Sequence, residues 1–166
     1  AISVDEVYSF FLTGVTCNYN YFVNNSDSYR GTDVNIVKAS LSSNFDDNWW
    51  GVNNPLNSTV YPISFSSRWW DPGNYIANIT SWLNMETSVN GSTLTVNMVS
   101  SSGNNKTTNI PLFTNVKYGD NSVTGYLTNG TYSFNLNISS PVNVTTVIDY
   151  QSITNTVYPV LATNLT

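Results

Sequence analysis

The chain has 166 residues, with five basic and ten acidic side chains, no histidine and one cysteine. Charged residues make up 9% of it and aromatics 14%, against roughly 25% charged in ordinary domains. Five basic residues cannot neutralise many phosphates, which excludes a nucleic-acid binder. Normal hydrophobic content with abundant aromatics excludes a disordered chain. The length favours one domain. No apolar run approaches the roughly twenty residues of a membrane span. The chain begins with Ala rather than Met and reads as a mature, secreted form that has lost a signal peptide.

In chain order, Ala1–Thr13 reads first, as one long strand. Ile2, Val4, Tyr8, Phe10 and Leu12 share one parity, broken only by Glu6. Ser3, Asp5, Ser9 and Thr13 share the other, with Val7 and Phe11 as exceptions. A period of two puts each parity on its own face of a strand. Val15–Val23 alternates next, with Cys17 in phase with Val15, Tyr19, Tyr21 and Val23. That phase predicts a buried, inert thiol. Asp33–Leu41 is rich in Val and Ile. Lys38 shares the inward parity of Val34 and Ile36, so it either snorkels to the surface or cross-links to an Asn with loss of ammonia.

Leu41–Pro62 reads as loop, with Asn53-Asn54-Pro55 as a breaker, and Val60–Phe65 reads as a short strand. Asp71-Pro72-Gly73 then precedes Asn74–Met85, where Ile76, Ile79 and Leu83 recur at helical spacing. Asp as cap and Pro at the first helical position predict one short helix near residues 72–85, against Gly73 and the β-branched residues. Thr93–Val99, Thr107–Phe113, Val123–Thr128, Thr131–Ile138, Val142–Tyr150 and Ile153–Leu161 complete the strands. Between them lie Ser101-Ser102-Gly103, Tyr118-Gly119-Asp120, and the pairs Asn90-Gly91 and Asn129-Gly130. Asn-Gly suits the tight hairpin turn because both central residues need positive φ. Short strands punctuated in this way predict an all-β fold, an antiparallel sandwich or barrel, with no internal boundary or repeat.

Catalytic machinery is hard to assemble from these residues. Without histidine there is no Ser-His-Asp or Cys-His arrangement, and the commonest general base is missing. A lone Cys17 excludes thiolate metal clusters, and no Gly-rich phosphate loop is present. The candidates for a carboxylate pair of the glycosidase kind are Asp46, Asp47, Asp71, Glu86, Asp120 and Asp149. Solvated loop acids are the simpler reading of these six, so neither enzymatic activity, nor a metal, nor a cofactor is expected. Gly119-Asp120-Asn121-Ser122 lacks the full calcium-loop pattern. Acid unfolding protonates paired carboxylates and charges buried histidines. A chain poor in both should keep its fold to about pH 3.

Two tryptophan pairs, Trp49-Trp50 and Trp69-Trp70, stand out. On a strand, neighbours face opposite sides, so one of each pair would be exposed. They close the ends of a sandwich, anchor an interface, or stack on sugar rings. Asn-x-Ser/Thr sequons occur at Asn24, Asn57, Asn78, Asn90, Asn105, Asn129, Asn137, Asn143 and Asn164. These nine are only a little more than chance gives for 26 Asn and 42 Ser and Thr. A charge-poor secreted surface nevertheless needs a source of solubility, and N-linked glycans supply one.

A terminal strand as apolar as Ala1–Thr13 must be covered, by its own domain or by a neighbour's. If the domain after Gly14 is a sandwich lacking one strand, the leading strand of a second copy can fill the gap by donor-strand complementation. That contact is head-to-tail, does not close, and propagates as a filament. The chain then divides into a donor strand, residues 1–13, and a β-sandwich head, residues 14–166.

The chain resembles the subunit of archaeal threads, the donor-strand surface filaments of Sulfolobales. The likeness lies in the leading strand Ala1–Thr13, the β-only remainder, the dense sequons and the charge-poor, Asn/Ser/Thr-rich composition, and it spans the whole chain. The resemblance implies an incomplete immunoglobulin- or pilin-like antiparallel β-sandwich and head-to-tail assembly of identical subunits. It also implies extensive N-glycosylation, no cofactor, an acidic and hot habitat, and an extracellular cell-surface filament serving adhesion or biofilm formation. Bacterial type I pilins are similar in architecture only, since their usual cysteine pair is missing here. Type IV pilins match poorly, because their long apolar N-terminal helix is absent. The alternative is an extracellular carbohydrate-binding adhesin domain that uses Trp49, Trp50, Trp69 or Trp70 against surface glycans.

Overall fold

The structure, a computed structural model, describes residues 2–5, 16–23, 34–37, 43–57, 65–66, 77–103 and 110–160. Its regular elements are strands, apart from one 3-10 turn at Pro55–Asn57. The strands are β1 (Ile2–Asp5), β2 (Val34–Val37), β3 (Ser43–Asn44), β4 (Phe65–Ser66), β5 (Ala77–Asn78) and β6 (Leu83–Asn90). They continue with β7 (Thr93–Ser100), β8 (Leu112–Tyr118), β9 (Asn121–Leu127), β10 (Thr131–Asn135), β11 (Val142–Ile148) and β12 (Gln151–Val157). The fold is all-β, as the turn spacing predicts. Among the described residues no helix is long and apolar enough to cross a membrane. By its contacts the chain divides into two compact units, Ala1–Asn84 with Ser100–Asn105, and Met85–Val99 with Lys106–Thr166.

In the first unit the pairing is parallel, not the antiparallel pairing expected throughout. β1, β2 and β4 form one sheet in that order, and β3 pairs with β5. Ile2 lies opposite Val34 and Asp5 opposite Val37. Long connections between these strands permit parallel pairing, which a two-residue hairpin forbids. The alternating run Val15–Val23 is not a regular strand over its described part. It is held by single bridges, Thr16 to Asn44 and Tyr21 to Trp49. Tyr19 adopts φ 59°, which breaks the alternation and leaves Cys17 half-buried rather than buried.

The helix expected near 72–85 is absent from the part that the structure describes. Residues 77–78 form β5 and β6 begins at Leu83; residues 72–76 lie outside the described residues. Leu83, Met85, Thr87 and Val89 alternate with Asn84, Glu86 and Ser88, and this period of two prevails over the helical spacing of Ile76, Ile79 and Leu83. The strand expected at Thr107–Phe113 runs later, over Leu112–Tyr118. Lys38, Trp69, Trp70, Asp71 and residues 58–64 also lie outside the described residues.

The second unit is a two-sheet antiparallel sandwich. One sheet has the order β12-β11-β8-β9 and the other the order β10-β7-β6. Leu112, Thr114, Val116, Leu127, Val144, Thr146, Ile148 and Val157 face inward and are buried, as are Leu94, Val96, Met98 and Phe134 of the opposing sheet. Two-residue turns join most neighbouring strands. At Asn129-Gly130 both residues take positive φ, 51° and 74°, as a type I′ turn requires. At Asn90-Gly91 only Gly91 does, with φ 57°. Asn90 is the last residue of β6, and Gly91-Ser92 makes the turn.

The sheets meet closely at Gly125. A Cβ placed there would lie 2.7 Å from the Tyr132 ring and 2.9 Å from Phe134 Cζ. Those two rings lock edge-to-face at 4.6 Å and have little room to give. Gly125→Ala is expected to destabilise the unit by about 1–3 kcal/mol through overpacking. Thermal unfolding measures this, and an unchanged Tm would refute the packing described.

Candidate functional site

The sandwich of the second unit is unequal, with three strands facing four. β9 and β10 stand side by side because the Asn129-Gly130 turn carries the chain from one sheet directly to the other, with Thr128 bonded to Thr131. On the far side, the Asn155 carboxamide of β12 donates to Thr87 Oγ1 of β6 at 2.7 Å. β6 therefore approaches β12, and among the described residues it is the last strand of its sheet, with the N–H of its first residue, Leu83, donating to the Asn48 carbonyl on that side. The inward side chains show the result. Val89 of β6 is 36% exposed, and Ile153 of β12 is only half-buried, while Val144, Thr146 and Val116 further in are buried. A further strand at the Val89 end of β6 would cover Val89 and Ile153. Val123 at the opposite margin is also exposed, but there the β9–β10 turn already ties the two sheets together.

A second cluster, in the first unit, consists of polar groups committed to structure. Asn48 is fully buried. Its carboxamide donates to the carbonyls of Cys17 at 2.6 Å and Phe45 at 2.7 Å, and accepts from the Asn20 backbone N–H at 2.8 Å. The Asp47 carboxylate accepts from the hydroxyls of Ser81, Ser100 and Tyr19. Asp46 accepts from the Ser81 N–H at 3.0 Å and from both the N–H and the hydroxyl of Thr80. Burial alone would raise the Asp46 pKa, but the Thr80 and Ser81 N–H groups, the Thr80 hydroxyl and Asn44 hold it below the ordinary value. Burial pushes the Cys17 thiol up, so it is less thiolate at neutral pH.

Trp49 and Trp50 are both fully buried, at 0% exposure. The expectation that one of the pair faces solvent fails because Asn48 and Trp49 make isolated bridges rather than a flat strand. The chain turns just before them, at Asp47, with φ 54°. Phe22 stacks on Trp50 at 4.7 Å. Two of the four tryptophans that an adhesin would offer are thus core residues.

Of the leading-strand residues, Ile2 and Val4 lie in β1, paired with β2 of the same chain; Tyr8, Phe10 and Leu12 lie outside the described residues. Asn57, Asn90, Asn129, Asn137 and Asn143 are exposed. Asn57 ends the 3-10 turn, Asn90 ends β6, Asn129 is in a turn, and Asn143 is on the outer face of β11, where it accepts from the Thr156 hydroxyl at 2.9 Å. Asn78 is in β5, and Asn24, Asn105 and Asn164 lie outside the described residues. Among the described residues no group of three His, Cys, Asp or Glu could hold a metal ion. Val89 and Ile153, at the β6–β12 margin, escaped the sequence reading; the alternation Leu83-Met85-Thr87-Val89 was the signal for the first. No family model, curated protein or solved structure matches the chain.

Two outcomes follow from the polar cluster. Asn48→Ala strands two carbonyls and one N–H and is expected to lower stability by about 1–3 kcal/mol or more in denaturant unfolding. The depressed Asp46 pKa makes its contribution complete above the unfolded value of about 3.9, lost only as pH falls through the lower folded value. The Tm should therefore hold from pH 7 to about 4 and fall below that, with a flatter acid limb in Asp46→Asn.

Proposed function

We propose that this protein is the structural subunit of an extracellular, glycosylated filament assembled head-to-tail by donor-strand complementation. What supports the reading is the apolar alternation of Ala1–Thr13 together with the margin at β6 and β12, where Val89 is exposed and Ile153 half-buried. The occupant is Ala1–Thr13 of the next subunit, with Ile2, Val4, Tyr8, Phe10 and Leu12 turned toward the sandwich. Five such side chains contribute about 1.5–3 kcal/mol each on burial, before the cost of association and ordering. Within one subunit Ile2–Asp5 rests against β2 over four residues. Assembly exchanges that short parallel pairing for a longer one, as in a domain swap. N-glycans on the exposed sequons keep the charge-poor surface soluble. The filament serves adhesion or biofilm formation, and its only required partner is another copy of the chain.

Deleting residues 1–13 should abolish filaments in electron micrographs, and the corresponding free peptide should bind the truncated subunit and raise its Tm. Val89→Lys should leave the subunit folded but block polymerisation, because a charge at an edge repels an incoming strand. Filaments formed by the truncated chain would overturn the proposal.

A further inference from the structure

The outer face of the four-stranded sheet carries one aromatic pair with no cover among the described residues. Phe113 of β8 and Tyr126 of β9 lie directly opposite each other in the ladder. Their rings meet edge-to-face at 5.0 Å, and Phe113 is 65% and Tyr126 44% exposed. The next row on the same face is uncharged, with half-buried Val147 of β11 opposite Asn115 and two polar residues toward the β9 side. Asn115 and Thr124 pair there, and the Ser122 hydroxyl donates to Asn115 Oδ1 at 3.1 Å. An apolar ring face beside amide and hydroxyl groups is the chemistry that holds a sugar, whose C–H face stacks on the ring while its hydroxyls bond to the polar neighbours.

One sugar source is tethered nearby. Asn129, in the sequon Asn129-Gly130-Thr131, lies in the turn that closes β9, three residues beyond Tyr126. Thr128 shares the parity of Tyr126 and ends that face, and Asn129 follows it in the turn, about 10 Å along the strand from Tyr126. Asn143 is on this face too, but Val144 pairs with Tyr118, which puts Asn143 at the far end of β8 from Phe113. We infer that the first sugars of an N-glycan on Asn129 fold back onto Phe113 and Tyr126. The tether supplies a high effective concentration, so weak stacking suffices where a free sugar of the same chemistry would not stay bound. The inference rests on the glycosylation of the proposed filament subunit.

The test compares the full-length chain, purified from its own glycosylating host, with Asn129→Asp. Aspartate tolerates the left-handed conformation of the turn and removes the attachment nitrogen. Peptide mass spectrometry reads both the sugar on Asn129 and the iodination rate of Tyr126. Slower iodination of Tyr126 in the glycosylated protein, together with a Tm about 2–4 °C above Asn129→Asp, supports the inference. That Tm difference should vanish when both proteins also carry Phe113→Ser and Tyr126→Ser. If those variants fail to fold, the iodination comparison decides alone. Sugar on Asn129 with equal iodination overturns the fold-back and leaves the glycosylation reading standing. A bare Asn129 overturns the fold-back and the glycosylation of that sequon, without touching donor-strand assembly.

Discussion

A β-sandwich buries apolar side chains only where a strand of one sheet lies over a strand of the other, and in the second unit three strands face four. The Asn129-Gly130 turn ties β9 to β10 at one margin, and the Asn155–Thr87 bond brings β12 to β6 at the other. At the β6–β12 margin Val89 stays exposed and Ile153 half-buried despite the bond from Asn155 to Thr87. Strand margins are normally blunted with lysines, prolines or a covering segment. β6 carries Glu86 but no basic residue and no proline along its length.

With few charges, this chain ties its sheets together on their outer faces with neutral side chains. Thr145 pairs with Thr154, Thr95 with Ser133, and Thr131 donates to Asn97. Cross-strand pairs of this kind contribute a few tenths of a kcal/mol each and carry no titrating group. Salt, which screens surface ion pairs, has little to act on in them. The first unit uses the same economy inside: a neutral carboxamide, Asn48, satisfies backbone groups of three different residues.

The C-terminal half was legible in the sequence because two independent signals coincide there. Inward apolar residues recur at every second position, and Gly or Asn marks the turns between. Where only one signal exists, the reading slips. Leu83 belongs to two patterns, the helical series from Ile76 and the alternation on to Val89, and the capping residues Asp71-Pro72 favoured the wrong one. The first unit is harder still. Its segments meet through single bridges, and positive φ at Tyr19, Asp47 and Asn54 breaks the alternation that would announce a strand. Trp49 and Trp50 are consequently both core, which no period of two can foretell. The β6–β12 margin and the Phe113–Tyr126 pair depend on which strands end up side by side, and that pairing is set by long-range register rather than by local pattern.

The margin beside β6 also bears on mechanics. A strand lying along an edge and pulled lengthwise loads every ladder bond at once, whereas one pulled sideways peels away bond by bond. A chain without disulfides that holds its neighbour in this way would resist tension along its length far better than bending, which suits a rope more than a rod.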